Sequence, residues 1–163
     1  MVCLNLGCGL DKRRGCVNLD SRIDVNPDVI WDLQRYPLPF QSNQFDEIIA
    51  KDVIEHITFH KTEALLKELY RILKPSGRIY IQVPDLEAIA KKVIFNPDFC
   101  YGDLCGWKAI SFWVYGGQDY PENTHKAGFT IPTLKKLLES IGFIVEDIHN
   151  DGGTNVQAWA RKP

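Results

Sequence analysis

The residues best suited to chemistry near the start of the chain are two glycines and the acids that follow them. Gly7 and Gly9 lie in "LNLGCGLDKRRGCVNLD", where one strand-like run ends in a turn and a second ends in Asp20. Glycine lacks a Cβ, so its backbone turns tightly and approaches a ligand closely. In open α/β sheets, ligands sit beyond the carboxyl ends of the strands, where strand order reverses. Gly7, Cys8 and Gly9 fall at the end of a first strand, and Asp20 with Ser21 at the end of a second. A carboxylate at Asp20 can accept hydrogen bonds from both hydroxyls of a ribose. Asp32, followed by Leu33, ends a third strand and would meet adenosine from the other side. Lys51 and Asp52 close a fourth.

Two features of a dinucleotide site are missing. A GxGxxG fingerprint needs glycine where Lys12 stands, and its acid lies about 20 residues on, whereas Asp20 is 11 residues past Gly9. There is no GxxxxGK[ST] loop either. A pyrophosphate wants a helix N-terminus behind the turn, and only Leu10 to Cys16 separate Gly9 from the next strand. Fully extended, such a link reaches about 23–25 Å, enough to return along a short strand but not to wind a helix. A nucleoside without phosphates fits better. A plain strand-ending turn is the competing reading of the glycines alone.

Groups able to take a proton are few, because the chain has four histidines. His56, in "VIEHI", follows the fourth strand, and His125, in "DYPENTHKAG", lies in an irregular aromatic segment. Each also has a plain reading, His56 as a loop anchor and His125 as a surface residue. Glu55 either holds the glycine loop or opens a helix, where an acid suits the dipole.

The elements that must carry these groups are legible from period. Val2–Leu6, Val17–Leu19, Val29–Trp31 and Phe45–Ala50 read as short buried strands. Leu65, Leu66, Leu69, Ile72 and Leu73 mark one face of a helix over about Lys61 to Leu73. "KPSG" stops it before a strand Arg78–Val83. "FTIPTLKKLLESIGF" is a second helix, with Thr130 as N-cap, Pro132 in the first turn and Gly142 as the stop. Ile144–Ile148 and Asn155–Ala160 follow, joined by Asn- and Gly-rich turn residues as an antiparallel hairpin. The pattern predicts an α/β chain with a mainly parallel sheet. Residues 86–127 fit neither period cleanly.

Composition sets the bounds. The chain has 163 residues, 45% hydrophobic and 25% charged, which suits a single domain over 1–163 with a real core. A net charge of −2 supplies no basic field for nucleic acid. Lys12-Arg13-Arg14 is the one dense basic cluster, either a solvated connection or an anion contact. Five cysteines without CxxC or Cys/His zinc spacing predict no metal site, and Cys3 and Cys8 in strand and turn fit a reducing compartment. "MVCLNLG" has neither a basic leader nor a long apolar run, so no membrane anchor is expected and the cytoplasm is the default.

Taken in order, "LNLGCG", "VNLD", "WDLQRYPLPFQSNQFDEIIAKDVIEHI" and "ELYRILKPSGRIYIQVPD" resemble class I S-adenosylmethionine-dependent methyltransferases, especially small ones with an LPF…FDEI…EHI block. The resemblance implies a Rossmann-like, mainly parallel seven-stranded sheet with an antiparallel last strand, and S-adenosyl-L-methionine as cofactor. It implies that Gly7, Cys8 and Gly9 surround the methionine part, that Asp20 and Ser21 hold the ribose, that Asp32 and Leu33 meet the adenine, and that Lys51 and Asp52 line the passage to the substrate.

The chain departs from the family at Asn5, where an acid is usual, and in the missing helix after the first strand. That gap predicts an uncovered sheet face, filled by Trp107–Tyr115 or by a second copy of the chain. Beginning almost at its first strand, the chain is also expected to lack N-terminal covering helices, leaving 86–127 as the lid or insert. There Trp107, Phe112, Trp113, Tyr115 and Tyr120 offer an apolar wall. The expected reaction is methyl transfer to oxygen or nitrogen of a small molecule, such as a sugar or glycoconjugate precursor, with His125 or His56 as base. The absence of an NPPY-like tetrad disfavours base-modifying activity. The alternative is a methyltransferase-like binding or assembly module; a nicotinamide-dependent oxidoreductase fails for want of its fingerprint.

Overall fold

The computed structural model describes residues 2–163. Seven strands form its main sheet: β1 (Cys3–Leu6), β2 (Cys16–Asp20), β3 (Val29–Ile30), β4 (Phe45–Lys51), β5 (Leu73–Pro84), β8 (Ile144–Asn150) and β9 (Asn155–Arg161). They lie in the order β3-β2-β1-β4-β5-β9-β8. All neighbouring pairs are parallel except β5 with β9 and β8 with β9. Strand order reverses at β1, whose neighbours are β2 and β4, so the carboxyl ends of these strands frame the crevice that such a reversal opens. The predicted fold class holds, down to the antiparallel last strand. The "KPSG" turn does not stand apart from the sheet, because β5 begins at Leu73, which pairs with Phe45.

Helices α1 (Phe59–Ile72) and α4 (Ile131–Ile141) share the principal core. Leu65, Leu66, Leu69 and Ile72 of α1, and Leu134 and Leu138 of α4, are fully buried with Ile48, Ile79, Ile81 and Ala158 of the sheet. Each fully buried side chain of that size contributes about 1.5–3 kcal/mol. The start of α4 is as read: Thr130 N–H donates to Thr133 Oγ1 at 2.9 Å, and Gly142 supplies the C-cap.

No helix follows β1. The link from Gly7 to Gly15 is held by side chains instead. Asn5 and Asn18 are register partners on β1 and β2, both buried. Asn5 Nδ2 donates to Asp11 O at 2.7 Å and to Asn18 Oδ1 at 3.0 Å. Asn18 Oδ1 also accepts Arg13 N–H at 2.8 Å, while its amide donates to Asp28. Asparagine, at once donor and acceptor, does here what a helical ladder would do. Asn5 is thereby committed to the link, which accounts for the departure from an acid at that position.

The second sheet face carries Glu47, Ile49, Tyr80, Gln82, Gln157 and Trp159 along one groove, with Arg13 at its edge. Helix α3 (Trp107–Tyr115) does not cover it. That helix packs on α2 (Leu86–Phe95) and on the small hairpin of β6 (Cys100–Tyr101) and β7 (Leu104–Cys105), where Tyr101, Phe112 and Trp113 cluster. The correction has a physical reason: with polar residues alternating along β5 and β9, this face tolerates water as one face of an antiparallel sheet does. Arg78 and Arg161, both paired with Glu146, continue that polar surface.

The cysteines are a second correction. Cys3 and Cys16 are register partners joined as a disulfide, as are Cys100 and Cys105 across the hairpin, leaving Cys8 free and buried. The sequence, lacking metal spacing, favours reduced thiols, but strand register brings these pairs together. Among the described residues no helix is long and apolar enough to cross a membrane.

The segment between β3 and β4, which carries Asp32 to Gln34, is pinned to α1 by one ion pair. Arg71 meets Glu68 at 2.8 Å and donates to the carbonyls of Phe40 and Leu38, while Glu68 Oε2 accepts Leu38 N–H at 2.7 Å. The hydrogen bond from Arg71 holds the Glu68 carboxyl below its ordinary range. Its contribution is therefore complete above the unfolded carboxyl value of about 4.3 and is lost as pH falls through the lower folded value. Arg71→Ala is expected to cost about 1–3 kcal/mol in urea unfolding and to flatten the acid limb of the stability profile.

Candidate active site

A crevice of about 660 Å³, counting its open mouth, lies at the carboxyl ends of β1, β2 and β4. Gly7, Gly9, Asp20, Ser21, Asp32, Leu33, Asp52 and His56 all line it. Eight of the residues singled out from sequence thus meet in one place. Cys8 does not line it; it is buried under the turn, where desolvation, and then the charge of Asp20, pushes its thiol up. Lys51 opens instead onto the polar sheet face, beside Glu47 and Gln82, since successive strand residues point to opposite faces. His125 lines an adjoining hollow with Leu86, Val114 and Tyr115, and Lys126 borders both spaces. The basic run stays out of the crevice: Lys12 reaches Asn26 O and Arg13 pairs with Asp11.

The glycine turn is tied to the second strand by a carboxylate. Asp20 Oδ2 accepts Gly9 N–H at 2.8 Å, and Oδ1 accepts Arg22 N–H at 2.9 Å. Each oxygen thus holds one main-chain N–H and keeps a further lone pair for another donor. Gly7 (φ +59°) and Gly9 (φ +48°) adopt the left-handed conformation, and a Cβ on Gly7 would run into the Val53 side chain.

Asp52 stands opposite. Both of its oxygens accept from Gln82 Nε2, at 2.9 and 3.1 Å, and Gln82 Oε1 accepts in turn from Tyr80 and Gln157. Burial pushes the Asp52 carboxyl up. Past it, His56 and His125 stack edge to face with ring centroids 5.0 Å apart. His56 Nδ1 lies 3.2 Å from Thr124 O and His125 Nδ1 lies 3.0 Å from Trp113 O. Desolvation brings His56 down to about 4 and lowers His125, so both rings are neutral near pH 7.

Segment 86–127 contributes Tyr120, Glu122 and Lys126 to the crevice wall. The guanidinium of Arg22 lies 4.1 Å from the Tyr120 ring centroid, a cation–π contact across the mouth. The Glu55 carbonyl accepts the N–H groups of Lys126 and Ala127, at 2.7 and 3.0 Å. Of the aromatic residues expected to wall a substrate, Tyr120 lines the crevice and Tyr115 the adjoining hollow, whereas Trp107 is largely exposed. Arg22, Gln34 and Val53 are wall residues that the sequence offers no signal for, since their places depend on loop geometry.

Comparison with known proteins agrees with this geometry. A family model described as a methyltransferase domain matches residues 18–81. An uncharacterized protein of Methanocaldococcus jannaschii is 37% identical over 59 residues, a stretch covering 36% of this chain and 25% of that protein. A SAM-dependent methyltransferase from Archaeoglobus fulgidus superposes with a TM-score of 0.67 at 16% identity, over 99% of this chain and 86% of that one. So does the 1,6-didemethyltoxoflavin-N1-methyltransferase of Burkholderia thailandensis, solved with 1,6-didemethyltoxoflavin and S-adenosylhomocysteine, at 0.63 and 17% identity, over 99% and 70%. The fold is that of the Rossmann-like methyltransferases.

Gly7→Ala is expected to destabilise the chain by about 2 kcal/mol or more, through left-handed strain and overlap with Val53. Adding Val53→Ala should relieve the overlap and leave the strain of about 1–2 kcal/mol. Chemical denaturation of the single and double variants checks both figures.

Proposed function

We propose that the chain binds S-adenosyl-L-methionine in this crevice and transfers its methyl group to oxygen or nitrogen of a small molecule, with a sugar or glycoconjugate precursor as the acceptor class. One observation carries the reading: Gly7, Gly9, Asp20 and Asp32 converge on a single cavity whose far end holds Asp52 and His56. In this reading Asp20 takes the ribose hydroxyls, Asp32 and Leu33 border the adenine, and the glycine turn admits the methionine part. The matched methyltransferase domain and the Burkholderia structure, with its small molecule and S-adenosylhomocysteine, support the same assignment.

Transfer from a sulfonium is an in-line displacement with the leaving group already activated. Positioning therefore supplies much of the catalysis, and a base is needed only when the nucleophile bears a proton. At the acceptor end, the neutral imidazoles of His56 and His125 present basic nitrogens to such a nucleophile. Tyr120, stacked on Arg22, makes 86–127 the lid of this site. Neither disulfide lines the crevice.

Titration calorimetry with S-adenosylhomocysteine tests the proposal. Micromolar binding to the wild type, weakened about tenfold to a hundredfold by Asp20→Ala as charged hydrogen bonds of about 1.5–3 kcal/mol are lost, is the expected result. A wild-type protein that gives no binding heat and no thermal stabilisation would leave the binding-module reading in its place.

A further inference from the structure

Glu55 and Arg13 are the two side chains among the described residues with a buried polar atom that lacks a hydrogen-bond partner, and Glu55 is the one beside the crevice. Its side chain is 2% exposed, its Oε2 has no hydrogen-bond partner, and no lysine or arginine pairs with it among the described residues. An unpaired buried carboxylate costs several kcal/mol, and burial accordingly pushes the Glu55 carboxyl well up. The nearest polar side-chain atom recorded for it is His56 Nε2, 4.0 Å from Oε1. A carbonyl oxygen can only accept, so the contacts of His56 Nδ1 with Thr124 O and of His125 Nδ1 with Trp113 O place each ring proton on Nδ1. Both Nε2 atoms are left as bare lone pairs. The ligand atoms of Glu55, His56 and His125 all lie within 4.8 Å of one another. Two neutral imidazoles and a buried carboxyl group thus meet in one place, a set that is satisfied either by a proton held on Glu55 or by a cation bound among the three.

We propose that Glu55, His56 and His125 bind a divalent transition-metal ion at the junction of the crevice, lined by His56, and the adjoining hollow, lined by His125, where it holds the acceptor's hydroxyl oxygen. Two imidazoles and one carboxylate on one side of an ion, with the remaining positions open, form a donor set suited to such metals. Imidazoles ligate when neutral, with the other ring N–H donated to a carbonyl that fixes the tautomer; Thr124 and Trp113 supply those carbonyls. A metal–nitrogen distance of about 2.1 Å places tetrahedral ligand atoms about 3.3 Å apart, so binding draws the three groups inward by up to about 1.5 Å. The sequence gives no hint of the site, because its third ligand comes from a distant segment and no metal spacing links it to "EH".

The role of the ion rests on the methyl-transfer reading, although its existence does not. A hydroxyl on a metal ionises far more readily than a free one, as water does on zinc, where its pKa falls to about 7. The bound hydroxyl releases its proton to solvent and its oxygen attacks the methyl carbon. The carbon–sulfur bond then breaks with its electron pair going to sulfur, leaving the neutral thioether. This narrows the acceptor to an oxygen nucleophile.

The test uses tag-free protein stripped with chelator and dialysed. Calorimetry with Zn²⁺ and Mn²⁺, and visible spectroscopy with Co²⁺, are expected to show one ion per chain for at least one of the three. Binding should weaken at least tenfold in Glu55→Gln and in His125→Ala and be unchanged in His149→Ala, a control for the exposed His149–Asp147 pair. Thermal melting identifies any variant that fails to fold, and Glu55→Gln, nearly isosteric, keeps the test intact should His125→Ala do so. Absence of 1:1 binding by all three ions overturns the inference, as does wild-type affinity in folded Glu55→Gln or a loss caused by His149→Ala. Metal binding in a protein that ignores S-adenosylhomocysteine would sink the transferase reading and leave the metal site standing.

Discussion

The site depends on a carboxylate that holds a turn. Asp20 accepts the N–H of Gly9, the group that in a longer chain would open a helix and have its place fixed by that helix. With the helix gone, the turn from Gly7 to Gly9 would have only backbone conformation to hold it. Asp20 at its end, and Asn5 and Asn18 at its base, replace a ladder of main-chain bonds with a few side-chain bonds of comparable geometry. Such a design satisfies buried backbone groups while shortening the chain.

The same economy shapes the sheet. Removing a crossover helix from a parallel sheet ordinarily exposes an apolar face. Here β5 and β9 alternate, turning Tyr80, Gln82, Gln157 and Trp159 to the exposed face and Ile79, Ile81, Ala158 and Ala160 to the helix-covered core. The helix-bearing side is therefore dry and the other partly wetted. The Gln82 amide joins the two ends of this arrangement: it belongs to the polar groove, yet donates to Asp52 on the crevice wall. The polar face thus supports the site and does more than border solvent.

Segment 86–127 completes the crevice through few contacts. The Glu55 carbonyl clasps Lys126 and Ala127, and this clasp brings His125 against His56. A single backbone junction thereby joins the loop after β4 to the end of segment 86–127, next to His125. Burial then keeps both rings neutral, the state in which each can act as a base or a ligand.

Local patterning determined much of the molecule. Strand runs ending in glycine or aspartate, the 3.6-residue stripe of α1 and the capped start of α4 are properties of neighbours in the chain, and sterics and burial read them directly. The meeting of Gly7, Asp20 and Asp32 is consistent with them, because these residues stand at the carboxyl ends of strands that the sheet order makes neighbours. What only the tertiary structure decided lies where sequence distance and spatial distance part. Register paired Cys3 with Cys16, strand alternation turned Lys51 away from Asp52, and α3 settled on α2 and not on the sheet. The nearness of Glu55, His56 and His125 belongs to the same group, since it arises from a long segment folding back, and no short-range periodicity encodes where such a segment comes to rest.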